Sequence, residues 1–361
     1  MSWPTWLPIR SDLASLAPYG APQVKADAVL NTNENPYSPS PELARAISDA
    51  VFEVASTLNR YPDRDAVALR HKLAFYINQR SSTSFSVSNL WAANGSNEII
   101  QSLFLAFGKG NALGFTPSYS MHPLIAKVTG TKWIEGSRNS DYSLNTDEAL
   151  IQILEQKPAL TFITTPNNPT GGAVSISDIS KLADAVKEIN GLLVVDEAYA
   201  EFSDEPSAVT LIDAHPHVVV IRTMSKAFAF AGARVGYLVS AKEVVDAMML
   251  VRLPYHLSSL TQAAASAAID FKEELLGFVS TLITARKQLV KDLEGLGLRT
   301  IESSANFILF TGFKAEAPKL WSDLLERGVL IRDVGIPGYL RVTVGNEAEN
   351  KAFISALSEL V

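Results

Sequence analysis

Residues 218–240 read VVVIRTMSKAFAFAGARVGYLVS, in which two short apolar runs lie on either side of a polar loop. The runs Val218–Arg222 and Gly236–Val239 have the length of buried strands. Strands that are apolar on both faces are typical of a sheet that is covered by helices on both sides. The segment therefore predicts the interior of an α/β sheet, with polar side chains just beyond the end of a strand.

The same alternation of helix-like and strand-like segments extends from Pro41 to Leu250. The helices predicted in this region are Glu42–Leu58, Asp65–Gln79, Asn97–Phe107, Ile176–Ile189 and Lys242–Leu250. Its further strands are predicted at Ala112–Phe115, Leu160–Thr164 and Leu192–Val195. Such alternation predicts an α/β fold, in which a mostly parallel sheet lies between two layers of helices.

A second unit is predicted after Pro254, because 361 residues exceed the usual size of a single core and the pattern changes there. The Ala-rich stretch Ser258–Leu296 should be helical through much of its length. It is followed by a predicted strand at Ala305–Thr311, a helix at Pro318–Arg327, strands at Val329–Arg332 and Tyr339–Val344, and a terminal helix. We therefore expect three parts: an N-terminal arm (1–40) belonging to the small domain, a large domain (41–254) and a small α+β domain (255–361). The five prolines up to Pro36 favour an extended arm.

Composition excludes several classes of function. A net charge of −7 without any run of basic residues argues against a nucleic-acid partner. The absence of cysteine excludes disulfides and thiolate metal sites, and it fits a reducing cytoplasm, where we expect the protein to be. No membrane span is expected, because no apolar stretch is long enough. The close pair His215 and His217 is interpreted as a solvated turn rather than a metal site, so no metal is expected.

The loop after Val218–Arg222 has the residue types that a phosphate ester and a reactive amine need. Thr223 and Ser225 supply hydroxyls, Lys226 supplies an amine, and Arg234 follows after a small-residue stretch. Hydroxyls and a guanidinium bind phosphate oxygens, and a lysine held near other cations loses its proton more readily. The alternative is a surface loop whose Ser and Lys are incidental.

A carboxylate and a tyrosine follow the strand at Leu192–Val195. Asp196 could hold a proton on the ring nitrogen of a cofactor, and Tyr199 could donate to a ring oxygen. The alternative for Asp196 is a simple helix cap. The turn after Leu160–Thr164 contains Asn168, which, taken with the other segments, could hydrogen-bond the same ring oxygen as Tyr199; the alternative is a turn without further function.

A helix start offers a further place for an anion. Ser96 and Asn97 open an apolar-striped helix, where free N–H groups point at a ligand, although Ser96 could be only an N-cap. Tyr119 follows another strand and could stack on a planar ring.

Taken together and in order, these segments resemble the cofactor site of fold-type I aminotransferases, which use pyridoxal 5′-phosphate. The segments are NGSNE (94–98), Tyr119, PNNPTG (166–171), DEAY (196–199), Ser225, Lys226 and Arg234. Within that group the chain is similar to histidinol-phosphate aminotransferases. This second resemblance lies in LNTNENPY (30–37), RYPD (60–63), GVLIRD (328–333) and LRVTVG (340–345).

The resemblance implies a role for each matching residue. Lys226 would carry the cofactor and act in catalysis with Asp196 and Tyr199. The cofactor would be held by Ser96, Asn97, Tyr119, Asn168, Asp196, Tyr199, Thr223, Ser225, Lys226 and Arg234, with Tyr61 reaching its phosphate from the second subunit of a homodimer. The substrate would be held by Tyr19, Asn35, Arg332 and Arg341. Thr223 departs from the serine of many aminotransferases but keeps the hydroxyl.

The implied reaction is transamination between L-histidinol phosphate and 2-oxoglutarate in histidine biosynthesis, giving imidazole-acetol phosphate and glutamate. An aromatic amino-acid (phenylalanine) aminotransferase is the first alternative, because it would share nearly all these motifs. A related decarboxylase and a non-catalytic cofactor-binding module also remain open. The expected partners are therefore small molecules and a second copy of the chain.

Overall fold

The protein, described over residues 3–361 by a computed structural model, has an α/β architecture. Its strands are β1 (Ala28–Val29), β2 (Leu90–Ala93), β3 (Asn111–Thr116), β4 (Lys132–Ser137), β5 (Leu160–Thr164), β6 (Leu192–Asp196), β7 (Val218–Thr223), β8 (Gly236–Val239), β9 (Arg299–Thr300), β10 (Phe307–Thr311), β11 (Val329–Leu330) and β12 (Tyr339–Thr343). Its helices are α1 (Pro41–Ala55), α2 (Val67–Ser81), α3 (Ser96–Phe107), α4 (Met121–Thr129), α5 (Thr146–Gln156), α6 (Ile176–Glu188), α7 (Lys242–Val251), α8 (Ser259–Asp270), α9 (Lys272–Gly295), α10 (Ala317–Glu326) and α11 (Glu347–Ser358).

The large sheet has seven strands in the order β2-β8-β7-β6-β5-β3-β4. Its strands are parallel except β8, which runs antiparallel to both of its neighbours. Strands β5 and β7 are buried at every position, as expected for a sheet with helices on both faces. The predicted α/β fold with a mostly parallel sheet is confirmed.

Six of these strands and helices escaped the sequence prediction, namely β1, β2, β4, β9, α4 and α5. Strand β4 lies at the edge of the sheet, and several of its side chains are exposed, so it contains no apolar run. The long Ala-rich helix is in fact two helices, because Phe271 leaves helical geometry (φ −99°, ψ 21°) between α8 and α9. Neither glycine nor proline marks that break in the sequence.

A smaller antiparallel sheet, β12-β10-β9, lies in the C-terminal part of the chain. The N-terminal segment joins this part, since β1 pairs in parallel with β11. Helix α8 packs on α1 and α2. The division at residues 40 and 254 remains our proposal. Across residues 3–361, no helix combines the length and the apolar character that crossing a membrane requires.

A buried ionic cluster ties β6 to β7 at their carboxyl ends. Arg222 is 2% exposed, its Nε lies 2.9 Å from Glu197 Oε2, and its terminal nitrogen donates to Glu201 Oε1 at 2.7 Å. Tyr76 also donates to Glu201, at 3.1 Å. Burial lowers the pKa of Arg222, but the two carboxylates outweigh it, and the pKa lies above its usual value. Since Glu197 follows Asp196 and Arg222 precedes Thr223, the cluster fixes the two strand ends relative to each other.

Replacing Arg222 by Met should lower the free energy of unfolding by about 3–5 kcal/mol, because two buried carboxylates lose their cation. Urea unfolding of the purified variant measures this change. The matched control is Lys242→Ala, which removes an exposed pair with Asp246 and should leave the unfolding midpoint nearly unchanged. Equal stability of the two variants would contradict the structural role of the cluster.

Candidate active site

A cavity of about 620 Å³ opens at the carboxyl ends of β5, β6 and β7. This is where parallel sheets gather ligands. The sequence-predicted residues that line it are Tyr19, Ser96, Asn97, Tyr119, Asn168, Asp196, Tyr199, Thr223, Ser225, Lys226, Arg234, Arg332 and Arg341. Sequence positions that are more than 300 residues apart thus meet in one site. Two predicted residues, Asn35 and Tyr61, do not line the cavity.

One wall of the cavity is suited to a phosphate group. Helix α3 begins at Ser96, directly after Gly95, whose φ of +82° few other residues adopt. A Cβ on Gly95 would lie 2.7 Å from a guanidinium nitrogen of Arg234, so any side chain at this position would displace the guanidinium. The hydroxyls of Thr223 and Ser225 are hydrogen-bonded at 3.0 Å and lie on the same cavity. Free N–H groups, hydroxyls and a guanidinium therefore surround one anion-sized space.

The amine of Lys226 lies in the cavity wall and donates to the carbonyl oxygen of Thr32 at 2.9 Å. Burial lowers the pKa of Lys226 to about 8, and Arg341 and Arg234 contribute in the same direction against Glu34. A substantial fraction of this amine is therefore neutral near physiological pH, as a nucleophile or a proton acceptor requires.

Asp196 is 2% exposed and is held from behind by a histidine that the sequence analysis did not single out. His122 Nε2 lies 3.1 Å from Asp196 Oδ2, while Asp196 Oδ1 accepts the N–H of Ala198 at 3.2 Å. His122 is also buried, between the rings of Tyr119 and Phe162. The signal that could have found it is its position three residues after Tyr119, in the first turn of α4.

Two amides approach the hydroxyl of Tyr199, namely those of Asn33 at 2.9 Å and Asn168 at 3.5 Å. Asn168 was expected to share a cofactor oxygen with Tyr199, and its position beside the Tyr199 hydroxyl is compatible with that prediction, whereas Asn33 was not given a role from the sequence. Burial raises the pKa of Tyr199, so its hydroxyl keeps its proton. Tyr119 lies nearby, and its hydroxyl donates to the side-chain oxygen of Asn97 at 3.1 Å. These polar side chains thus line the cavity and are linked by hydrogen bonds to one another.

Two arginines from the C-terminal part of the chain, Arg341 on β12 and Arg332 beside it, line the same cavity. Arg332 and Arg341 are antiparallel partners, and each backbone N–H donates to the other's carbonyl oxygen at 2.9 Å. Arg341 donates to Asn168 at 2.6 Å and to the carbonyl oxygen of Asn31 at 2.8 Å, and burial lowers its pKa to about 10. Arg332 forms no ion pair with a residue in 3–361, and the neighbouring Asp333 accepts a backbone N–H instead.

Several residues singled out in the sequence do not line the cavity, namely Tyr61, Asn35 and the pair His215 and His217. Tyr61 is 79% exposed and stacks on Tyr255 at 4.4 Å between ring centroids. The side-chain oxygen of Asn35 accepts the N–H of Tyr37 at 3.0 Å, so the placement of Asn35 gives no support to direct substrate contact. His217 binds the carbonyl oxygen of Ala183 at 2.8 Å. Among residues 3–361, no group of three or more His, Asp or Glu is arranged for a metal ion.

In cofactor-free protein, Lys226 should react with an amine-specific reagent with a midpoint near pH 8, because only the neutral amine is nucleophilic. Exposed Lys242, whose hydrogen bond to Asp246 raises its pKa, is the internal control and should react only at higher pH. Peptide mapping after brief labelling across a pH series measures both. The variant Arg341→Gln should move the Lys226 midpoint upward. A Lys226 profile equal to that of Lys242 would contradict the lowered pKa.

Comparison with known proteins places this site in a family. The family model "Aminotransferase class I and II" matches residues 27–357. Histidinol-phosphate aminotransferase of Mycobacterium sp. (strain JLS) is 54% identical over 98% of this chain and 94% of its own length, and that of Mycolicibacterium smegmatis is 53% identical over 98% and 93%. The fold of histidinol-phosphate aminotransferase from Sinorhizobium meliloti, solved with pyridoxal-5′-phosphate, matches with a TM-score of 0.83 at 22% identity, covering 98% of this chain and 97% of that one. The chain therefore belongs to the class I and II aminotransferases and, within them, to the histidinol-phosphate aminotransferase family.

Proposed function

We propose that the protein transfers the amino group of L-histidinol phosphate to 2-oxoglutarate, with pyridoxal 5′-phosphate as cofactor, in histidine biosynthesis. The products are imidazole-acetol phosphate and glutamate. The observation that carries the proposal is that one cavity joins Lys226, Asp196 and the anion-sized space at Arg234 with the pair Arg332 and Arg341. This combination serves a cofactor and an anionic substrate at once.

The residues of the cavity fit the cofactor. Its phosphate would be held by the first N–H groups of α3 together with Thr223, Ser225 and Arg234, where the glycine at position 95 leaves room for the guanidinium. Bound here, pyridoxal phosphate supplies a ring that takes up the charge left when the amino-bearing carbon loses a proton. Asp196 would keep a proton on the ring nitrogen, and His122 would hold the carboxylate in place.

The chain's own groups would carry out the remaining steps. Lys226 Nζ would attach the cofactor and then accept and return the proton of the substrate carbon, which a pKa of about 8 permits near neutral pH. Tyr199 would donate its hydroxyl proton to the ring oxygen. Tyr119 would cover one face of the ring. Tyr19, at the rim of the cavity, would restrict the access of water.

Substrate choice would rest on the two arginines. A phosphate monoester can accept charged hydrogen bonds from both Arg332 and Arg341, whereas one arginine is sufficient for a carboxylate. Arg341 is held by Asn168 and Asn31, so its position is fixed. Within residues 3–361 the side chain of Arg332 has no ion-pair partner, so it is free to bind the substrate. This arrangement favours histidinol phosphate over phenylalanine.

Purified protein given histidinol phosphate and 2-oxoglutarate should produce glutamate, with a larger kcat/KM than for phenylalanine. Arg332→Ala should lower kcat/KM for histidinol phosphate by about tenfold or more and leave that for phenylalanine nearly unchanged, because one charged hydrogen bond is lost. The control is Arg327→Ala, which removes an exposed pair with Glu359 far from the cavity lining. A higher kcat/KM for phenylalanine in the unaltered protein would refute the proposed substrate.

We further propose a homodimer. Two segments tied to each other expose apolar side chains on one surface, which we call the dimer face: Leu58, Tyr61, Val67, Leu250, Leu253, Tyr255 and Leu260. Arg252 holds the segments together through Asp65 at 2.5 Å, and Tyr61 stacks on Tyr255. An exposed apolar patch of this kind marks an interface, and a second copy would bring Tyr61 towards the other subunit's cofactor phosphate.

A cytoplasmic location is part of the same proposal, as expected for a biosynthetic enzyme.

Mixing Tyr61→Ala and Lys226→Ala protein should restore activity that neither variant has alone. After subunit exchange, about half of the dimers are mixed, and each of these has one site with both residues intact, so about a quarter of all sites recover. Sedimentation establishes that the proteins are dimers, an affinity tag on one variant shows by co-purification that subunits have exchanged, and each variant mixed with itself is the control. An active monomer, or no recovery despite exchange, would contradict the role of Tyr61.

A further inference from the structure

Asn33 connects the N-terminal segment, the small sheet and the hydroxyl of Tyr199. It is 1% exposed, and its backbone is left-handed with a φ of +54°, which asparagine adopts more readily than most residues. Its backbone N–H donates to Thr343 Oγ1 at 3.0 Å, and its carbonyl oxygen accepts from Asn306 at 3.1 Å. Its side-chain amide donates to Tyr199 at 2.9 Å. Every polar group of this buried residue therefore has a partner.

The orientation of the two amides beside Tyr199 follows from their other partners. Arg341 can only donate, so the oxygen of the Asn168 amide must face Arg341 and its nitrogen must face Tyr199. Thr343 Oγ1 already accepts the backbone N–H of Asn33, and its own proton goes to the side-chain oxygen of Asn33 at 3.2 Å. The side-chain nitrogen of Asn33 is left for Tyr199.

Both amides therefore present N–H groups to the same phenolic oxygen. A phenolic oxygen has room for two acceptor contacts, and a protonated hydroxyl must then direct its own hydrogen elsewhere. The remaining direction is the cavity, which Tyr199 lines together with Lys226 and Asp196. The two neighbouring amides thus set the direction in which the Tyr199 hydroxyl points its hydrogen before any ligand binds.

We propose that Asn33 is a positioning residue that fixes the direction of the Tyr199 hydroxyl proton, so that it is donated to the ring oxygen of the bound cofactor. The inference rests on the proposed function only for the identity of that cofactor. It assigns Asn33 a role through Tyr199, in addition to holding the N-terminal segment. A purely structural Asn33 would affect folding but would not depend on the hydroxyl of Tyr199.

The variants Asn33→Gly and Asn33→Asp separate these two roles. Glycine keeps the left-handed backbone and removes the amide, whereas aspartate keeps the shape and replaces the N–H donor by an oxygen acceptor. Each variant is saturated with pyridoxal phosphate without substrate, and its absorbance is titrated with pH. A hydroxyl that donates to an oxyanion lowers the proton affinity of that group, so both variants should raise the titration midpoint, by about half a unit to one unit.

The decisive comparison uses Tyr199→Phe, which removes the hydroxyl itself. Tyr199→Phe alone should raise the midpoint, and Asn33→Gly added to it should cause no further shift, because a residue that acts through the hydroxyl has nothing left to orient. Thermal unfolding of the cofactor-free proteins shows that each variant is folded. An unshifted midpoint in both Asn33 variants, or an equal shift with and without the Tyr199 hydroxyl, overturns the inference.

The result of this titration can be distinguished from the result of the test for the proposed reaction. Failure of the protein to use histidinol phosphate refutes the proposed substrate and leaves this titration unaffected, because no substrate is present. Failure of the unaltered protein to bind pyridoxal phosphate refutes the proposed function, and the inference about Asn33 fails with it. A bound cofactor with no dependence on Asn33 overturns the inference alone.

Discussion

The site depends on the parallel alignment of β5, β6 and β7. Thr164 pairs with Asp196, so the loops after β5 and β6 leave the sheet at the same level. Asp196 also pairs with Ile221, and β7 ends two residues further on, at Thr223. Asn168, Tyr199 and Lys226 lie on those loops within a few residues of the strand ends. The buried ion pairs of Arg222 with Glu197 and Glu201 hold the ends of β6 and β7 together, so that the loops start from a rigid edge.

The second constraint is electrostatic. One cavity is lined by four basic side chains, those of Lys226, Arg234, Arg332 and Arg341. Their charges attract anions and repel one another. Burial, together with the neighbouring positive charges, lowers the pKa of Lys226 to about 8 and that of Arg341 to about 10. Burial is the main reason that Lys226 holds its proton weakly, and Arg341 and Arg234, which would also bind anionic groups, add to the effect.

The N-terminal segment contributes more to the site than its lack of regular structure indicates. Within four consecutive residues, Asn31 accepts from Arg341, Thr32 accepts from Lys226, Asn33 donates to Tyr199 and Glu34 faces the cavity. Strand β1 anchors this segment to β11, and Thr343 and Asn306 hold it from the small sheet. The extended arm predicted from its prolines is thus a structural bridge between the small sheet and the cofactor loops.

The sequence alone determined the α/β class and most of the buried strands, because apolar runs are local patterns. The family resemblance implied the cofactor residues, and all of them except Tyr61 line the cavity. The sequence analysis missed the edge strand β4, whose exposed side chains carry no apolar signal, and the break at Phe271, which lacks any marker residue. It also missed His122 and Asn33, because a buried hydrogen-bond partner is defined by what lies opposite it across 74 or 166 positions of chain. The pKa of Lys226, the reciprocal pairing of Arg332 with Arg341 and the orientation of the amides at Tyr199 were decided only by the tertiary structure. Each of them depends on distances between segments that are remote in sequence, and no local pattern encodes such distances.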